Sequence, residues 1–552
     1  MTELVFLPLG GIGEIGMNLA AYGYGPEHDR EWLVVDCGVS FAGPDFPGVD
    51  LVFPDIRFLE RQRSRIRGIV ITHAHEDHYG ALLDLWPRLK APVYASPFTA
   101  ALLAAKREGE PGAPKIPVTI FQAGETFEVG PFSIEAINVT HSIPEPVALA
   151  IRTSFGTVVH TGDWKIDAHP ALGLPTDEKR LREIGAEGVL ALVCDSTNAM
   201  REGVSPSESE VGTSLREIIT EAKGRVAVTT FSSNIGRIRA VAQAAADSGR
   251  QTLLLGRSMK RMVDVAGELG YLDGLPPFLD EQDFGYIPRE KAVIILTGSQ
   301  GEPRAALARL ARDEHPTVAL SKGDAVIFSS RAIPGNEKGI IDIKNALIEQ
   351  GVEIIEDRDR LVHVSGHPRR SEMKQMYDWV KPRIAVPAHG EAAHLKAHAL
   401  FAKELGVPEV VEARNGKMVR LAPGVAEIVD EIPAGRLYKD GTMIGTAEEM
   451  GIPERRRLSL AGHITVLVEL TQKLDLRNDP DVVCLGLPKR DREGEEFEET
   501  LIDAVAEAID SIPRERRKDL DMVREAARRA ARAEANAVWG KKPIVTVFVI
   551  RG

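Results

Sequence analysis

Residues 66–80, IRGIVITHAHEDHYG, run from an apolar, β-branched stretch straight into six residues, 73–78, that hold three histidines and two acids. A β-rich run of this kind, ending at polar residues, reads as a strand. Side chains this polar at its end need partners, and a layered α/β fold supplies them where strand ends meet. His73 and His75 are two residues apart, so after a strand both imidazoles can aim into one pocket. Asp77 and His78 sit on the turn that follows and can face a second point nearby. Imidazole and carboxylate without thiolate suit Zn²⁺, Mn²⁺ or Fe.

The same texture recurs through the first two hundred residues. LVFLPL, EWLVVDCG, PVYAS, FSIEAINVTHS, TVVHTGDWK and GVLALVCDSTN are β-rich runs ending near Gly, Asp or His, with helical pieces such as ALLDLWPRL and PFTAALLAAKRE between them. From 206 to 359 strands and helices alternate regularly (RVAVTTF, NIGRIRAVAQAAADSG, QTLLLG, AVIILTG, AVIFSS), which predicts a parallel, doubly wound insert. The first texture returns over 360–435. A linker is expected at 436–460 and a small α/β domain at 461–552, so the first domain spans 1–205 and 360–435. A chain of 552 residues has room for roughly three or four domains.

Several classes are excluded. GIGEIG, residues 11–16, matches a dinucleotide fingerprint, but Gly23, Gly25 and Pro26 leave no room for the long helix it requires. A tight turn between strands is expected instead. No apolar run is long enough to span a bilayer, and the start lacks the basic region of a signal peptide. Cys37, Cys194 and Cys484 are far apart and form no CxxC, which fits a reducing, cytoplasmic setting. The net charge of −13 means that any polyanion groove must be locally basic.

Three further strand ends offer ligands: His141 in INVTHSIPE, Asp163 in VVHTGDWKID and His389 in AVPAHGE. His160 reads as a core-facing strand residue. His394 and His398 lie at i, i+4 spacing but lack the HExxH glutamate, so an exposed helix face is expected. Arg517, Arg524 and Arg528 alternate with acids and read as a solvated helix face.

The order HAHEDH, His141, Asp163, His389 resembles the metallo-β-lactamase superfamily. The resemblance implies that His73, His75 and His141 bind one divalent metal, that Asp77, His78 and His389 bind a second, and that Asp163 bridges them. Two such ions, Zn²⁺ or Mn²⁺, would activate water and clamp a phosphodiester. More than two hundred residues separate Asp163 from His389, which resembles the β-CASP nucleases, whose inserted domain closes over the active site. Asp195 in LVCDSTNA and His367 in HVSGH fit that family's accessory motifs. HVSGHPRR, TFSSNIGR, LTGSQGEP and SSRAIPGNE together resemble the ribonuclease J family over essentially the whole chain.

The implied fold is a metallo-β-lactamase αββα sandwich with an inserted β-CASP α/β domain and a small C-terminal α/β domain. Catalytic roles fall to Asp77, Asp163, Asp195 and His367. Ser232, Ser233 and Asn234, with the loop His363, Val364, Ser365, Gly366 and His367, would hold an RNA 5′-monophosphate. A structural cation is expected near the linker, with Asp50 and Asp440 as candidates. The expected activity is a ribonuclease, 5′-to-3′ exonucleolytic with added endonuclease capability, on single-stranded 5′-monophosphorylated RNA, in a homodimer or higher homo-oligomer built through the C-terminal domain. The alternatives are a DNA-processing β-CASP nuclease, a silent RNA-binding scaffold and a small-ester hydrolase.

Overall fold

The computed structural model describes residues 1–552 apart from Pro44. The chain forms two compact units, one made of residues 1–41 and 52–436, the other of 42–51 and 437–552.

The first unit contains two large mixed sheets. In spatial order the eight-stranded sheet runs Glu427–Glu431, Lys417–Ala422, Thr2–Gly10, Leu19–Pro26, Glu31–Val35, Ile66–Val70, Val93–Ala95, Val118–Ile120. The seven-stranded sheet runs Thr126–Val129, Phe132–Asn138, Val147–Thr153, Gly156–His160, Val189–Asp195, Pro382–Ala388, Glu409–Val410. Phe6, Tyr22, Leu33 and Val70 of the first share one core with Ile134, Leu149, Val158, Val193 and Val386 of the second. The outer face of the second sheet, through Ala148, Val159, Leu192 and Ala385, is covered by Leu181 and Ile184 of helix Glu178–Glu187, Met373 and Met376 of helix Arg370–Val380, and Ala402 of helix Ala392–Glu404. On the other side, helices Leu82–Leu89 and Pro97–Glu108 follow strands of the first sheet and bury Leu82, Leu85, Phe98 and Leu102. Strands covered on both faces must be apolar throughout, which is why these segments show no alternation.

The GIGEIG segment is the expected turn. Gly11, Gly13 and Gly16 have φ of +80°, +93° and +86°, and the chain returns as an antiparallel strand. Only glycine adopts such values without strain.

The insert is a five-stranded sheet, ordered Gln251–Leu255, Ala292–Leu296, Val226–Thr229, Ala325–Phe328, Glu353–Ile355, with every pair parallel. Its first helix is Glu208–Glu221 and its last strand ends at Ile355.

The second unit is built on a three-stranded sheet, with His463–Leu470 between Asp481–Leu485 and Ile544–Arg551. His463–Leu470 alternates strictly, and Ile464, Val466, Val468 and Leu470 pack beneath helices Phe497–Asp510 and Leu520–Trp539. The opposite face is uncovered: Val483, Leu485, Phe548 and Ile550 are each more than half exposed. Within 436–460 lie the hairpin strands Arg436–Asp440 and Met443–Gly445 and most of helix Ile452–Ala461. Arg517 departs from the expected helix face. It lies in a short 3₁₀ turn after Pro513, buried, and donates to Ile512 and Leu474 carbonyls. Arg524 and Arg528 pair with Asp521 and Glu525. No helix is long and apolar enough to cross a membrane among the described residues.

Candidate active site

Parallel strands from both sheets end at the site. Val189–Asp195 lies between Gly156–His160 and Pro382–Ala388, with Asp195 opposite Ala388, so the turns carrying Asp163, Asp195 and His389 leave one edge together. In the other sheet Val35 lies opposite Val70, which sets Asp36 beside the start of the 71–78 loop. Asp36 and His389 have φ of +64° and +51°. Such values are uncommon outside glycine and cost about 1–3 kcal/mol, a strain met where a side chain must be aimed.

Three histidine nitrogens converge. His75 Nδ1 lies 3.2 Å from His73 Nε2 and 3.0 Å from His141 Nε2. Asp163 Oδ2 is 3.8 Å from His73, 3.7 Å from His141 and 3.3 Å from His78 Nε2, while Asp163 Oδ1 is 2.7 Å from His389 Nδ1. Potential ligand atoms lie within 4.8 Å of one another in three groups: His73, His75, His141 with Asp163; His78, Asp163, His389; and Asp163, Asp195, His367. Asp163 belongs to all three. Asp77 belongs to none; its Oδ2 stands 3.7 Å from His78 Nε2 and accepts from Asn18 Nδ2 at 3.2 Å.

The outward ring nitrogens show why the inner ones turn inward. His141 Nδ1 donates to the Gly366 carbonyl at 2.7 Å, and His78 Nδ1 to Asp36 Oδ2 at 2.7 Å. His73 Nδ1 lies 3.0 Å from Thr72 Oγ1. A carbonyl only accepts, so His141 keeps its lone pair on Nε2. Burial and the neighbouring imidazoles hold His73 and His141 well below the usual histidine range, and burial takes His75 down to about 3. Neutral imidazoles whose lone pairs face one another beside a carboxylate repel until a cation sits between them. This donor set fits a divalent metal.

Charge balance differs at His78 and His367. Burial lowers His78, but Asp163, Asp36 and Asp77 outweigh it and raise its pKa. Burial likewise lowers His367, but Asp195 and Asp163 raise it to about 9. Burial favours neutral Asp163, yet His78, His367 and the His389 hydrogen bond hold its carboxyl well below the usual range.

The expected phosphate residues come from two segments. Asn234 caps helix Ile235–Asp247 through Oδ1, while Ser232 and Ser233 are half-buried just ahead of it. Arg237, fully buried and paired with Glu208 at 2.8 Å, donates to the Val362 carbonyl and so ties this helix to the start of the 363–367 loop. In that loop Val364 is buried and His363 Nδ1 is buried with no partner among the described residues. A Cβ on Gly366 would stand 2.6 Å from the His141 ring, so nothing larger than glycine fits. Arg201 and Arg369 form no ion pair with a carboxylate among the described residues, and burial and the Arg369 charge hold Arg201 below the usual arginine range.

His160 is the expected core residue, 2.9 Å from the Tyr22 hydroxyl. His398 is not on an exposed face. It is fully buried, with Ser196 Oγ 2.8 Å from Nδ1 and Tyr377 OH 2.8 Å from Nε2. Helix Ala392–Glu404 packs that side against the sheet, and a ring with two hydroxyl partners meets no penalty there. Asp50 Oδ2 accepts from Gly441 N–H, and Asp440 pairs with Arg455; neither falls in a group of metal-ligand type. Asp36, Asn18 and Asn198 were not singled out as site residues from sequence. Asp36 ends EWLVVD as Asp163 and Asp195 end their own strands, and that shared pattern was the available signal.

Comparison with known proteins agrees with this geometry. Residues 31–175 match the beta-lactamase superfamily domain, 223–347 the ribonuclease J beta-CASP domain, 351–411 the Zn-dependent metallo-hydrolase RNA specificity domain and 450–552 the ribonuclease J C-terminal domain. Ribonuclease J of Sinorhizobium meliloti is 65% identical over 549 residues, covering 100% of this chain and 97% of that one. The chain belongs to the ribonuclease J family. Ribonuclease J of Mycolicibacterium smegmatis is 42% identical over 466 residues, covering 83% of this chain and 82% of its own. A solved structure of a protein of unknown function from Enterococcus faecalis aligns with TM-score 0.52 at 14% identity, covering 76% of this chain and all of that one, and shares the fold. As a member of that family the chain is a hydrolase, a nuclease with metallo-β-lactamase superfamily and β-CASP domains that acts on RNA. That sets aside the DNA-processing, scaffold and small-ester readings.

Proposed function

We propose that this member of the family is a two-metal enzyme that degrades RNA from 5′-monophosphate ends in the 5′-to-3′ direction and also cuts internally. The observation that carries this reading is that the His73, His75, His141 group and the His78, His389 group share Asp163. His73, His75 and His141 would hold one divalent ion, and His78 and His389, with Asp77 drawn inward, the other. Such ions, Zn²⁺ or Mn²⁺, supply a Lewis acid and lower the pKa of a bound water. Asp163 spans both groups and fixes their separation. His367 holds a proton: its Nδ1 is on Asp195, and Nε2 has no partner among the described residues, leaving it free for a phosphate or leaving oxygen. Asp36 and Gly366 fix the rings of His78 and His141 from behind.

The 5′-end preference rests on Ser232, Ser233, Asn234 and the 363–367 loop, which Arg237 holds together. Hydroxyls, backbone N–H groups and imidazole there suit a monophosphate, and charge-assisted bonds are roughly twice as strong as neutral ones. A hydroxyl end would leave those donors unpaired. We assign domain boundaries at 205/206, 359/360 and 435/436, with assembly through 461–552. The three free cysteines fit a reducing, cytoplasmic compartment.

The test is purified enzyme with RNA carrying a 5′-hydroxyl, monophosphate or triphosphate. The expected exonuclease rate ranks monophosphate first, and a chelator abolishes all cleavage. Equal rates on the three ends would overturn the 5′-end reading, and chelator-resistant cleavage the metal reading.

A further inference from the structure

Asn198 lies in the DSTNA turn after Asp195 and is 5% exposed. Its Nδ2 donates to Ser365 Oγ at 3.0 Å and to the His367 carbonyl at 3.1 Å. The carbonyl settles which way the amide points. A main-chain oxygen can only accept, so the atom facing it is the NH₂ group. Ser365 Oγ therefore accepts one hydrogen bond from Asn198, and it accepts a second from the His367 N–H at 3.3 Å.

A serine oxygen has two acceptor sites and one proton. Both acceptor sites are taken, so the remaining proton must point away from both partners. Among the described residues nothing receives it. The hydroxyl is therefore an obligate donor, and Ser365 is partly exposed. The turn that carries Asn198 is fastened to the same segment twice more, by Arg370 N–H to the Arg201 carbonyl at 2.9 Å and Ser371 N–H to the Gly203 carbonyl at 3.2 Å. It cannot drift independently of the loop it orients.

We infer that Asn198 is a positioning residue for 5′-end selection: it locks Ser365 as a hydrogen-bond donor to an anionic phosphate oxygen. This rests on the proposed 5′-monophosphate site. A donor that cannot turn round makes a charge-assisted bond to a terminal phosphate and at best a weaker, neutral one to a 5′-hydroxyl.

The test is Asn198→Asp, isosteric with the wild type. A carboxylate accepts, so the Ser365 proton turns toward position 198 and is lost to the substrate. The measured quantity is the ratio of exonuclease kcat/KM on 5′-monophosphate RNA to that on 5′-hydroxyl RNA. It should fall about tenfold or more, mostly through KM, as loss of one hydrogen bond to a charged group implies. Asn198→Ala, which adds no charge, should lower the ratio in the same direction. In the Ser365→Ala background neither change should lower it further, because Asn198 acts through Ser365. Equal losses on both ends, or full additivity with Ser365→Ala, would show only a structural support of His367 and overturn the inference. A wild-type enzyme that does not distinguish the two ends would instead overturn the site on which the inference rests. Asn198→Ser, with a shorter donor, should recover part of the ratio if Asn198→Asp does not fold.

Discussion

His367 Nδ1 and Asp195 Oδ2 are joined at 2.7 Å although 172 residues separate them in the chain. The bond spans the base of the insert, and it holds a charged imidazole beside the Asp163 carboxylate. Removing the charge while keeping the shape tests its role. Asp195→Asn should leave folding nearly intact and lower kcat by roughly 10²-fold or more, the range for a positioned acid–base group. Single-turnover kinetics would check it, and a loss seen only in KM would contradict it.

Asp77 and Asp36 should separate a ligand from its support. Asp36→Asn weakens the grip on His78, and loss of such an outer partner costs about 10- to 100-fold in metal affinity or activity. Asp77→Ala should cost more than that, with one metal equivalent missing by elemental analysis. Near-normal turnover of Asp77→Ala at full metal content would remove Asp77 from the ligand set.

Glu135 ties strand Phe132–Asn138 to Arg180 and Arg152, both at 2.6 Å. The Arg180 hydrogen bond, helped by Arg152 against burial, holds its carboxyl below the usual range. A lowered carboxylate pKa contributes stability above the unfolded value, about 4.3, and loses it as pH falls through the folded one. Glu135→Gln should therefore melt lower than wild type at pH 7, by about 1 kcal/mol or less because the partner arginines remain partly open to solvent. The two melting curves should converge as pH falls below about 4. A constant gap by scanning fluorimetry would exclude the carboxylate as the cause.

Leu485 and Phe548 lie on strands flanking His463–Leu470, on the face that no helix of their unit covers, 63% and 56% exposed. Contiguous apolar surface of this kind marks contact surfaces. Paired Leu485→Asp and Phe548→Asp substitutions should shift the mass by light scattering toward monomer, as should deletion of 461–552. A doubly substituted chain that keeps the wild-type mass would move the interface elsewhere.

Much of the candidate site was legible because the candidate ligands follow apolar strands with abrupt polar ends, a pattern that needs no knowledge of partners. The supporting residues were not. Asp36, Asn18 and Asn198 gain their meaning from residues 42, 59 and 167 positions away, respectively, and no local spacing announces that. His398 was misplaced because i, i+4 spacing gives a face but not its direction. Arg517 was misplaced because Pro513 replaces the first turn of the supposed helix with a 3₁₀ segment.

Strand Pro382–Ala388 completes its sheet only by adding to Val189–Asp195, and Lys417–Ala422 only by pairing with Thr2–Gly10. A ribosome therefore releases His73 to Asp163 long before His389, and the unfinished chain holds candidate ligands without the partner that closes the second group. Pairings this distant form late. A product truncated before residue 389 would lack both the strand and the histidine that complete the second ligand group, and should cut RNA poorly.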